Sequence, residues 1–107
     1  MIPVVKQVAT EYKSKLQNLY GNEFVELILF GSHARGDFHE ESDVDFVVVL
    51  RKSEVRASEE ILKTSSISTH LELKYGIMLS TLPVSEEKKQ TSMQWVYQDI
   101  RKEGIVI

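Results

Sequence analysis

Apolar residues recur at Val5, Val8, Tyr12, Leu16 and Leu19, while Lys6, Lys13 and Lys15 fall mostly between them; this three-to-four spacing predicts an amphipathic helix. Gly21-Asn22 predicts where it stops. Residues 24–30 (FVELILF) are rich in β-formers and run straight into Gly31-Ser32, so a short strand is expected to end there in a turn. After a polar stretch, residues 43–50 (DVDFVVVL) carry apolar side chains on both alternations, the pattern of a strand buried on much of two faces. A helix is expected over residues 53–75, ended by Gly76, although its TSSIST segment (64–69) is poor helix material. Residues 77–82 predict a third strand closed by Pro83. Ser85 is placed to cap a last helix, with Glu86 and Glu87 in the first turn, where the helix dipole favours carboxylates. Gly104 suits the position just past its end, leaving residues 105–107 as a short edge strand.

The order helix, strand, turn, strand, helix, strand, helix implies an α/β (α+β) sandwich, a small mixed β-sheet flanked by helices. With 107 residues and no repeat, low-complexity tract or linker, a single domain over residues 1–107 is expected. Hydrophobic residues at 42% and charged residues at 27% are ordinary globular usage, which excludes disordered and fibrous classes. Thirteen Lys and Arg against 16 Asp and Glu leave a net charge of −3, so no direct nucleic-acid binding is expected. The absence of cysteine excludes a disulfide framework, a thiolate metal site and a cysteine nucleophile. The longest apolar run, residues 46–50, is too short to span a bilayer, and the N-terminus lacks a secretory apolar segment. A cytoplasmic protein without membrane contact is therefore expected.

The chemistry concentrates in residues 31–45, GSHARGDFHEESDVD. At the left end, glycine lets backbone approach a ligand closely, and the N–H groups that open a helix favour an anion such as a phosphate. The Ser32 hydroxyl adds a phosphate donor. At the right end, Asp43 and Asp45 stand at i and i+2 and project from one face of a strand. Two such anions repel unless a cation lies between them, and Mg²⁺ suits, since it takes one or two carboxylates plus substrate phosphates. A phosphate cradle facing a metal pair is what phosphoryl or nucleotidyl transfer requires. Neither piece is specific alone: Gly31-Ser32 also reads as a plain turn, and Asp43 and Asp45 as a solvated strand start. Together at one set spacing they arise by chance on the order of once per thousand such chains.

Gly31-Ser32, ten residues, then Asp43-Val44-Asp45 resembles the signature of the DNA polymerase β-type nucleotidyltransferase superfamily. With Arg35-Gly36 and Ser42-Asp43 in place, and the ending Ile100-Arg101-Lys102-Glu103-Gly104, the chain is similar to the minimal nucleotidyltransferase (MNT) branch over nearly its whole length. The resemblance implies the nucleotidyltransferase fold and a frequent role as the antitoxin of HEPN/MNT pairs. The implied activity is Mg²⁺-dependent transfer of AMP from ATP to a tyrosine of the HEPN toxin. Gly31 and Ser32 would then hold the triphosphate, and Asp43 and Asp45 would bind metal and carry catalysis.

Two departures bear on this. His33 stands where relatives often carry a basic residue. Active members place a third carboxylate on the next strand, whereas residues 77–82 (IMLSTL) contain no acid and Ser80 is the nearest equivalent. A hydroxyl is a poor general base near neutral pH. Asp37, Glu40 and Glu41 lie on the loop before the Asp pair. The alternative reading is accordingly a catalytically impaired nucleotide-binding module that neutralises its partner by complex formation. A small-molecule nucleotidyltransferase is a third reading, disfavoured because little chain remains for an acceptor pocket. Self-association, nucleobase and acceptor residue are left open. Arg35 either clamps a phosphate bidentately or pairs with Asp37 or Asp43. His33, His39 and His70 show no metal-ligand spacing and are expected at the surface. Trp95, Tyr97 and Ile100, flanked by Met93 and Val96, are expected mainly in the core, the other reading being partner anchors. Lys88-Lys89 reads as a solvated helix start.

Overall fold

A computed structural model describes residues 1–107. The apolar stripe near the N-terminus forms the buried face of helix α1 (Pro3–Tyr20), where Val5, Val8, Ala9, Tyr12 and Leu16 are all covered. Pro3 begins the helix, where a missing N–H costs nothing, and Gly21 ends it. Leu19, the last residue of the expected stripe, is exposed, and Tyr20 takes the inward position instead. A 3-10 turn (Gly21–Glu23) leads into strand β1 (Phe24–Phe30), helix α2 (Gly31–Arg35) and strand β2 (Val44–Leu50). Helix α3 (Ala57–Tyr75), strand β3 (Leu79–Ser85), helices α4 (Glu86–Thr91) and α5 (Trp95–Glu103) and strand β4 (Ile105–Val106) follow.

The four strands form one mixed sheet in the order β3-β2-β1-β4. Strand β1 runs antiparallel to β2 and β4, while β2 and β3, joined through α3, are parallel. Alternation divides the side chains between two cores. Leu27 and Leu29 of β1 with Val44, Phe46, Val48 and Leu50 of β2 pack on α1 and on Leu71 of α3. Ile28, Val47, Val49 and Val84 turn to the opposite face, where Ile100 of α5 covers them. The architecture is thus a mixed α/β sandwich, as the sequence predicts.

Several boundaries differ from expectation. Helix α3 starts at Ala57 rather than at residue 53. Its serine and threonine run is helical because hydroxyls bond back to carbonyls one turn earlier: Thr64 donates to Glu60 at 3.0 Å and Ser65 to Leu62 at 2.8 Å. Strand β3 runs through Pro83 instead of stopping before it. It is the sheet's edge, where a residue without an N–H breaks no ladder on its outer side. The single C-terminal helix is two. Ser85 caps α4 as expected, accepting from the Lys88 N–H at 3.2 Å, but the chain extends at Ser92 before α5 begins. Arg101 of α5 holds that break, donating to the carbonyls of Lys89 at 2.9 Å and Ser92 at 2.7 Å. Gly104 has φ −67, so its backbone is not left-handed. A Cβ there would instead run into the Ile28 side chain and the Ile100 carbonyl. Of the aromatic cluster on α5, Ile100 is buried and Tyr97 half-buried, but Trp95 is 85% exposed, contrary to a core role. No helix is long and apolar enough to cross a membrane.

Candidate active site

The site grows from the junction of β1 and α2. Strand β1 ends at Phe30, and Gly31 turns the chain with φ +72, a left-handed conformation that L side chains rarely adopt. A side chain at residue 31 would also collide with Oδ2 and Cγ of Asp45. Gly31 is therefore dictated twice, by backbone geometry and by the carboxylate lying against it. Ser32 follows, half-buried in the first turn of α2, where backbone N–H groups lack intrahelical acceptors. Gly36, with φ +86, ends the helix, and its N–H donates to the Ser32 carbonyl at 2.8 Å.

Asp45 is the second residue of β2, opposite Phe30 on one side and Ser80 of β3 on the other. It belongs to the alternation that faces α5 rather than α1, and it is half-buried. Asp43 lies one residue ahead of β2 and is exposed. Burial, then the charge of Asp43, pushes the Asp45 carboxyl above the ordinary aspartate range. His33, Arg35 and the Ser80 hydroxyl pull the other way without cancelling this. The pair thus forms a locus of unrelieved negative charge beside the Gly31-Ser32 turn, a donor set that suits a hard divalent cation with further oxygen ligands from phosphate or water. No cluster of three or more acidic, histidine or cysteine side chains completes a metal cage. Asp37 instead pairs with Arg35, and Glu40 and Glu41 are exposed on the loop.

Arg35 approaches the site from the end of α2, its Nε 3.2 Å from Asp37 Oδ2 and its Nη1 3.6 Å from Glu103 Oε2. It pairs with Asp37, not with Asp43. Glu103 is a neighbour that sequence reasoning missed; it is brought there by α5 packing across the sheet, and no local pattern signals it. His33 departs from the expectation of a surface histidine, being 8% exposed, whereas His39 and His70 lie at the surface. Gly31, Ser32, Asp43, Asp45 and Arg35 all gather at one end of the sheet. The position opposite Asp45 is filled by Ser80, which is exposed, so β3 supplies no third carboxylate.

Known proteins share this architecture. A family model described as "Nucleotidyltransferase domain" matches residues 6–106. A candidate protein adenylyltransferase of Methanocaldococcus jannaschii, MJ0604, is 32% identical over 98 residues, 91% of each chain. Among solved structures, a toxin–antitoxin crystallised with AMP-PNP superposes with a TM-score of 0.61 at 15% identity, over 98% of this chain and 72% of that one. A candidate minimal nucleotidyltransferase superposes with a TM-score of 0.59 at 20% identity, over 96% of this chain and 95% of that one. These structures share the fold.

Proposed function

The chain belongs to the nucleotidyltransferase domain family, and from that premise we propose that it transfers AMP from ATP to a hydroxyl, a tyrosine in our reading, of a HEPN-type partner protein, so acting as an antitoxin. The observation that carries this reading is the Asp45 carboxylate lying against Gly31 at the start of α2, with the charge of Asp43 acting on it. The toxin–antitoxin fold neighbour and the adenylyltransferase relative support the choice of a protein acceptor.

Each residue has a role in this scheme. Ser32 and the N–H groups of the first turn of α2 bind triphosphate oxygens, and Gly31 leaves room for Asp45 beside them. Asp43 and Asp45 would hold Mg²⁺, which, when bound, neutralises the triphosphate and stabilises the leaving pyrophosphate. Arg35 exchanges its exposed carboxylate partners for a phosphate. The acceptor oxygen forms a bond to the α-phosphorus, the bond to pyrophosphate breaks, and the hydroxyl proton leaves to solvent.

Ser80 opposite Asp45 favours a second reading, a nucleotide-binding module that restrains its partner by contact without turnover. The experiment that separates the two incubates α-labelled ATP, Mg²⁺ and the partner with this protein and with the Asp43→Ala/Asp45→Ala double variant. Label on the partner, lost in the double variant, is expected. Absence of label while the two proteins still form a complex would establish the binding module instead.

A further inference from the structure

The segment between α2 and β2, residues 36–43, has no regular structure, yet it delivers Asp43 to the site. Its internal hydrogen bonds make a local turn: the His39 N–H donates to Ser42 Oγ, and the Ser42 N–H to the His39 carbonyl, both at 2.9 Å. These bonds shape the turn without fixing where it lies. At its near end the segment is anchored by Arg35 and by the Ser32 carbonyl, which accepts from Gly36 and Asp37. At its far end the Val44 N–H, just past Asp43, donates to the Met78 carbonyl at 2.9 Å, and the buried ring of His33 supplies a side-chain hydrogen bond from outside the segment.

That ring makes two contacts with the segment. It stacks on Phe38, with centroids 4.4 Å apart and planes at 15°. Its Nε2 lies 3.4 Å from the carbonyl of Ser42, the residue before Asp43. A carbonyl only accepts, so the proton on Nε2 donates. The bond is long and weak, and the stacked ring is what keeps it aimed. The ring and Phe38, with His39, Glu40 and Ser42 of the loop, line a partly open pocket of about 260 Å³ whose other walls include Val5 and Ile77. The loop thus borders open space, and the His33 ring is one of the groups that line it.

We propose that His33 is a positioning residue that holds the loop over residues 36–43, and with it the Asp43 carboxylate, in register with the Gly31-Ser32 turn. Without the ring, phosphate cradle and metal pair still exist but no longer face each other at a fixed separation. The inference rests on the metal-binding role given above to Asp43 and Asp45, and its test separates the two.

Three variants divide the contacts. His33→Ala removes both, His33→Phe keeps the stack and loses the donor, and His33→Gln restores a donor near the Nε2 position without the ring. Amide hydrogen exchange over residues 36–43 reads loop order with no metal present, and Mn²⁺ titration followed by electron paramagnetic resonance reads the carboxylate pair. In His33→Ala we expect faster exchange confined to this loop and about tenfold weaker Mn²⁺ binding, the usual scale for losing a residue that orients a ligand. His33→Phe and His33→Gln should each recover part of both. Wild-type exchange and Mn²⁺ affinity in His33→Phe and His33→Gln alike would overturn the proposal even if His33→Ala does not fold. A wild-type protein that ignores Mn²⁺ would overturn the metal reading, and loop exchange would still decide the role of His33.

Discussion

The Asp45 carboxylate sits half-buried in the sheet with Asp43 as neighbour, and burial first, then that charge, holds it above its ordinary value of 3.8. Between that value and the raised folded one, the folded chain binds more protons than the unfolded chain, so stability falls as pH rises through the window. The ionised pair thus costs stability at neutral pH. Asp45→Asn should melt at a higher temperature than the wild type at pH 7 without divalent cation, and the advantage should vanish below about pH 3.8. Added Mg²⁺ should narrow the gap by stabilising the wild type alone. Melting curves across pH check all three; equal melting at pH 7 would mean that the ionised carboxylate costs the fold nothing. The face that Asp45 takes was legible in the sequence because alternation along a strand assigns it, whereas Asp43, one residue ahead of β2, is placed by the loop before it. His33 was not legible, since its burial depends on Phe38 folding back over it, which no local pattern shows.

At the scale of elements, strand pairing decides what stands beside the acidic pair. The β2–β3 register sets Asp45 opposite Ser80, and the next pair, Phe46 and Thr81, faces α1, where the Thr81 and Tyr12 hydroxyls share a hydrogen bond at 2.8 Å. A one-residue slip would reverse every side chain of β3, breaking the half-buried Thr81–Tyr12 bond and turning Val84 out of its core, and these contacts pin the register. Ser80→Asp would therefore place a third carboxylate beside the other two. Three clustered anions should lower the melting temperature at pH 7 in the absence of metal, raise Mn²⁺ affinity, and add a general base. Such bases contribute about 10²–10⁴ in rate, so a transfer activity limited by proton removal should rise by at least tenfold. An unchanged rate with tighter metal binding would show that proton removal does not limit transfer. The existence and order of the elements were readable from periodicity, and β1 and β2 were nearly complete, because their apolar runs are dense. The ends of β3 and the α4–α5 break were not. Pro83 is tolerated only because β3 is an edge, and the break is held by Arg101 reaching back to Lys89 and Ser92. Both are properties of the assembled fold.

For the molecule as a whole, the helical face opposite the site is tied together by a buried carboxylate. Glu60 of α3 is 3% exposed and accepts from the Tyr20 hydroxyl of α1 at 2.8 Å and from Lys52 Nζ, just past β2, at 2.9 Å. Burial alone would raise its pKa; the Lys52 and Tyr20 hydrogen bonds and the charges of Lys52 and Lys63 outweigh that and hold it below its ordinary value of 4.5. The network's stabilisation is fully present above pH 4.5 and is lost as pH falls through the lowered folded value. At the alkaline end, burial and Glu60 raise the Tyr20 phenol, so stability also falls as pH climbs past 10, where the unfolded chain ionises first. Glu60→Gln keeps an acceptor for Tyr20 but removes the charge that holds Lys52, which should cost about 2 kcal/mol at pH 7. Denaturant titrations of both proteins should show that gap at pH 7 and its closure in acid, where Glu60 itself becomes neutral. The expected ATP affinity of Glu60→Gln, measured while it is still folded, is that of the wild type, because the network joins α1, α3 and the end of β2 remote from Asp43 and Asp45. Lost affinity in the folded variant would mean that the helical layer sets the geometry of the acidic pair as well as the stability of the sheet.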